Sequence, residues 1–88
     1  MKILKATDFV AVPTAPLWDD NLSLEAKGVF CILCDMPEGM ELTDYDLAQT
    51  CRVTIGELRD AIRELKVAGY IGEHDGSLAL FEKSVFSK

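Results

Sequence analysis

Residues 42–71 read LTDYDLAQTCRVTIGELRDAIRELKVAGYI. The spacing of caps and apolar residues in this stretch predicts two helices joined by a sharp turn. Thr54-Ile55-Gly56-Glu57 fits a capping box, in which the Thr54 hydroxyl accepts from the Glu57 amide and Glu57 reaches back to the Thr54 amide. Thr43-Asp44-Tyr45-Asp46 is a shorter-armed version of the same device, and its acidic residues suit the positive end of the helix dipole. Between the helices, Cys51-Arg52-Val53 leaves room only for a short turn. Gly69 supplies a residue that can turn left-handed where the second helix ends, and Tyr70-Ile71 opens an extended segment.

Working outward, Glu73-His74-Asp75-Gly76-Ser77-Leu78-Ala79-Leu80-Phe81 places Asp-Gly between two alternating runs, a strong hairpin signal. Residues 70–74 and 77–82 are expected to pair as a wing. Upstream, Ser23 is the expected N-cap of another helix, with Glu25 in its first turn and Pro37 forcing it to stop. Pro37-Glu38-Gly39 is a turn signal. Ala26, Val29, Phe30, Leu33 and Met36 share one face of that helix, and Leu24, Gly28, Cys31 and Ile32 make it apolar nearly all round. Such a helix needs cover on two sides, so Leu24, Gly28 and Cys31 are read as buried under an N-terminal arm or, alternatively, as a partner interface. The arm candidate is Phe9-Val10-Ala11-Val12-Pro13, strand-like and closed by Pro13 and Pro16, with Trp18 placed to cap one end of the core.

The expected architecture is α+β, mainly α: a winged helix-turn-helix of three helices, a C-terminal β-hairpin wing and an N-terminal strand-like arm. One domain spans 1–88, with the arm at 1–21, the helical core at 22–69, the wing at 70–82 and a tail at 83–88. The 88 residues leave no room for a second core, and a 49% hydrophobic content is enough for one. No stretch approaches a membrane span and the start lacks a signal-peptide layout. Three cysteines, an odd number, argue against a disulfide framework and for a reducing, cytoplasmic setting.

Helix-turn-helix scaffolds hold their second helix in a DNA groove, which makes residues 54–68 the presumed recognition helix. Leu58, Ala61, Ile62, Leu65 and Ala68 form its inner face. Arg59, Arg63 and Lys66 fall on one flank, Glu57, Asp60 and Glu64 on the other, with Gly56, Asp60, Arg63 and Val67 outermost. The DNA reading gives Arg59 and Arg63 to base edges or phosphates, helped by Arg52 and Lys66, with Thr54, Ile55 and Gly56 at the helix tip. Two features oppose it. The net charge of −6 has the wrong sign for attraction to phosphates, and Glu73-His74-Asp75 stands at the wing tip where basic residues would grip. A split-charge ridge also suits a protein partner or a second copy, so a non-enzymatic interaction or dimerisation module on the same scaffold is the alternative.

The arm at 9–13, the element Leu22-Ser23-Leu24-Glu25-Ala26-Lys27-Gly28, the helix-turn-helix and Ala68-Gly69-Tyr70-Ile71 together resemble the N-terminal winged-helix domain of phage and plasmid replication initiators. These are the replisome-organiser type of Gram-positive bacteria, and the resemblance covers roughly residues 8–72. It implies binding to double-stranded origin DNA in replication, or a related role in transcriptional regulation, in a bacterial cytoplasm. It also implies a longer protein supplying loading or oligomerisation, so the chain is expected to be a stand-alone relative or a fragment. Arg52 departs from the pattern, since such turns commonly hold Gly there. A left-handed backbone at a non-glycine residue costs roughly 1 kcal/mol.

Other chemistry finds less support. Cys31-x-x-Cys34, with Cys51 and His74, could be imagined around zinc, but the pair sits mid-helix and small thiols are ordinary core fillers. His74 has no nucleophile or carboxylate pair placed near it by any motif, and Gly69, Gly72 and Gly76 have turn explanations. The sequence therefore points to no enzyme, no cofactor, no metal, no small-molecule substrate and no membrane.

Overall fold

A computed structural model describes residues 1–3, 10–37, 39–74 and 77–80. Phe9 of the arm, Glu38 of the first turn, the Asp75-Gly76 hairpin turn, residues 81–82 of the second strand and the tail lie outside the described residues.

The described chain is α+β and mainly helical. It runs α1 (Thr14–Leu17), α2 (Leu24–Asp35), α3 (Asp44–Cys51), α4 (Ile55–Ala68), β1 (Ile71–His74) and β2 (Ser77–Leu80). The strands pair antiparallel in a register of Ile71 opposite Leu80 and His74 opposite Ser77. This layout is compatible with a winged helix.

Each of the longer helices begins on a side-chain cap. The Thr43 and Thr54 hydroxyls accept from the Asp46 and Glu57 amides, both at 3.1 Å, and both carboxylates reach back to complete capping boxes. Ser23 accepts from the Ala26 amide. The ends are equally local: α2 stops at an extended Met36 before Pro37, and α4 ends at Gly69 with φ 87°. Between α3 and α4, Arg52 is left-handed at φ 58°, ψ 43°, the conformation the turn requires where a glycine would be unstrained.

The core sits where α2 crosses α4 and the root of β1 closes over them. Ala26, Val29 and Phe30 from α2 meet Leu58, Ala61 and Leu65 from α4, with Leu47 and Ala48 from α3 and Tyr70 and Ile71 completing it. Phe30 and Tyr70 meet edge to face, ring centres 6.2 Å apart, an arrangement worth about 0.5–1.5 kcal/mol beyond the area buried.

Three expectations are corrected. Val10–Pro13 form no strand. Val12 leans on the core, and the chain then winds into α1, because Pro13 stands at the N-cap and Pro16 in the first turn, where a missing N–H costs nothing. Helices among the described residues thus number four, not three. Trp18 caps nothing, being 81% exposed. The far side of α2 is also open: Leu24 is 81% exposed, Gly28 is exposed, and a side chain added at Gly28 would meet nothing within 4 Å.

Candidate nucleic-acid interface

The turn at Arg52 lets α3 and α4 share the Leu47–Leu58 core while α4 keeps one face in solvent. Along that face run Gly56, Arg59, Asp60, Arg63 and Val67, all exposed, with Val67 at 83%. Gly56 is open enough that an added Cβ would meet only the Thr54 hydroxyl, 3.9 Å away. Ile55 is partly buried and packs against the core. Thr54 is exposed, but its hydroxyl and amide are both engaged with Glu57.

The cations of α4 arrive with partners. Arg59 Nε lies 3.5 Å from an Asp44 carboxylate oxygen on α3, Arg63 Nη1 donates to Asp60 at 3.1 Å, and Lys66 pairs with Glu73 on β1. Arg52 is exposed and makes no ion pair with a described residue. The sequence separates a basic from an acidic flank. The fold instead joins Arg63 to Asp60 across the ridge and reaches to α3 and β1 for the other two pairs. Lys66 donates to Glu73 and its charge sits beside it, so the Glu73 carboxyl is held below the ordinary carboxylate range. At Glu57 the Thr54 amide, then the Thr54 side chain, does the same. The two arginine pairs are well exposed, Arg63 and Asp60 keeping about seven-tenths of their side-chain surface in water, whereas the Lys66 side chain is 37% exposed. Ion pairs held in water are weak, so exchanging a carboxylate for a phosphate oxygen costs little.

Glu64 behaves differently from the other acids of α4. One carboxylate oxygen accepts from the Ser23 amide at 2.8 Å and the other from the Ser23 hydroxyl at 2.9 Å. In α3 and α4 the third helical residue supplies the carboxylate that satisfies the N-cap amide. In α2 that residue is Ala26, and Glu64 supplies it from another helix. Beside this contact the Tyr70 hydroxyl donates to Asp19 at 2.8 Å. Burial first, then Asp19, pushes the Tyr70 phenol up to about 12. These contacts fix α2, α4 and the root of the wing relative to one another.

No family model matches the chain, and neither a curated protein nor a solved structure matches it.

The structure keeps Cys31 and Cys34 on α2 and Cys51 at the end of α3, all half-buried. Burial pushes the Cys34 and Cys51 thiols up, with nearby Cys31 adding to the effect at Cys34, the opposite of what a reactive or metal-ready thiol needs. Among the described residues no three His, Cys, Asp or Glu side chains gather as a metal site, and no helix is long and apolar enough to cross a membrane.

Sequence reading found the α4 cations but missed Glu64 and Asp19 as structural carboxylates. The faint signal for Glu64 was an N-cap serine followed three residues later by alanine, a cap with half its partners missing.

Proposed function

We propose that the chain binds double-stranded DNA as a winged helix-turn-helix, with α4 laid in the major groove and the β1–β2 wing beside it. The observation that carries this reading is the exposed face of α4. A short left-handed turn sets it against α3, Arg59 and Arg63 project from it, and a hairpin follows directly at its end. Arg63, on the outermost line, is placed for a base edge, and Arg59 and Lys66 for flanking phosphates. Arg52 and the Gly56 backbone stand at the helix tip. The net charge of −6 and the paired state of the cations set the character of the binding. Long-range attraction is weak, and each cation exchanges a carboxylate for its phosphate, so binding to any duplex is modest and salt-sensitive and is tightest at a matched site. A role in replication initiation or transcriptional control on a phage or plasmid fits such a protein.

Fluorescence anisotropy of a labelled mixed-sequence duplex at about 50 mM salt tests this, because phosphate contacts are strong there. Arg63→Ala should weaken binding several-fold more than Lys27→Ala on α2. Equal effects, or no binding by the wild type, would remove α4 from the groove.

A further inference from the structure

On the flank of α4 away from Arg59 and Lys66, a cleft opens between the helix and the 19–22 turn that leads into α2. Its floor is apolar, with Leu22 buried in the core and Ala68 packed partly buried against it. Val67 lines the cleft and is 83% exposed. Trp18, one residue before the Asp19 that lines the other side, is 81% exposed. Helix stability does not account for Val67, because a β-branched residue loses side-chain freedom in a helix and gains no packing in water. Large apolar side chains beside an apolar floor, ringed by polar groups, have the anatomy of an interface core and rim, where tryptophan is enriched.

Charge selects the occupant. The cleft sets Asp19, Asp60 and Glu64 against Arg63, which is itself paired with Asp60, and the adjacent Asp20 is exposed. Glu64 is held by the Ser23 amide and hydroxyl, both neutral donors, so those bonds leave its negative charge in place. An isologous contact would set the same acids against themselves, and an anionic surface would be repelled. A partner that carries lysine or arginine around an apolar anchor matches both the floor and the rim.

We infer that this cleft docks a basic polypeptide. An apolar side chain of the partner seats against Leu22, Val67 and Ala68 with Trp18 at its rim, and cationic side chains meet Asp20, Asp60 and Glu64. A carboxylate offers about four lone-pair sites, of which Ser23 takes two, so Glu64 can accept a cation and still hold α2 in place. The docking stands independently of DNA binding, since Arg59 and Lys66 lie outside the cleft.

Trp18 is the single tryptophan of the chain, so its emission reports on the cleft directly. The full chain, without DNA, is titrated with a tryptophan-free amphipathic peptide of leucine and lysine about 15 residues long, and with its leucine–glutamate counterpart. The lysine peptide should give a saturable blue shift and the glutamate peptide none. Val67→Lys should weaken binding at least about tenfold, whereas Leu24→Lys, which adds the same charge on the open side of α2, should change it less than about twofold. Val67 is exposed and lysine is the better helix former, so the variant keeps its fold, which circular dichroism melting checks. Absence of a shift up to about 1 mM lysine peptide overturns the inference. Equal losses in the two lysine variants overturn it in favour of diffuse charge attraction. A blue shift on concentrating the protein alone, abolished by Val67→Lys, overturns it in favour of a second copy. Failure of duplex binding in the separate anisotropy experiment bears on the DNA reading and leaves this result untouched.

Discussion

The two sides of α4 use charge in opposite ways. On one side Glu64 takes both polar groups of Ser23, and nearby Asp19 takes the buried Tyr70 hydroxyl. These carboxylates are half-buried and hold elements more than forty residues apart in sequence. On the other side Arg59, Arg63 and Lys66 hold carboxylates in water, where the pairing is cheap to break. One side is therefore scaffold and the other is available for exchange. Charge content alone would not separate them; burial does.

The comparison can be broken in order of expected effect. Leu58→Ala removes a side chain 1% exposed between α3 and α4 and should cost about 2–5 kcal/mol in urea denaturation, the scale of a core cavity. Glu64→Ala comes next at about 1.5–3 kcal/mol, since it leaves the Ser23 amide without its charged acceptor. Tyr70 gives the pH arm. Its phenol ionises near 10 in an unfolded chain and is pushed up to about 12 here, so the stability it confers is complete below pH ~10 and drains as pH rises toward 12. Absorbance titration at 295 nm of Tyr45→Phe should show the late ionisation, and an ordinary one near 10 would remove Tyr70 from the clamp. Arg52→Gly should stabilise by up to about 1 kcal/mol in thermal melts by relieving the left-handed strain. Smallest of all, a double-mutant cycle on Arg63 and Asp60 should give a coupling under about 1 kcal/mol. A coupling as large as the Glu64→Ala loss would erase the distinction between the two sides.

What the sequence made legible was local. The Thr43 and Thr54 boxes, the Ser23 cap, the Pro37 stop, the Gly69 end and the strain at Arg52 each depend on residues within four positions of one another. All stand in the structure as read. The alternation around residues 71–80 likewise gave the strand pair. What was lost was long-range or ambiguous. Glu64 meets Ser23 across 41 residues and Tyr70 meets Asp19 across 51, separations at which no pattern in the chain pairs them. Arg59 was read on its own helix flank, but its partner Asp44 comes from α3. The prolines at 13 and 16 suit an extended arm and a helix's first turn equally, and packing of Pro16 decided for the turn. The exposed cations of the candidate site were visible from spacing, whereas their neutralisation was not, because that depends on which helix lies alongside.

The most direct test of exchangeable charge on α4 is duplex anisotropy across a salt series, comparing the wild type with Asp44→Asn, Asp60→Asn, Glu73→Gln. Freed cations release more counterions on meeting phosphate, so the variant should bind at least tenfold tighter near 50 mM salt, with a steeper fall of log affinity against log salt. Affinity and slope that match the wild type's, or no binding by either protein, would contradict the account.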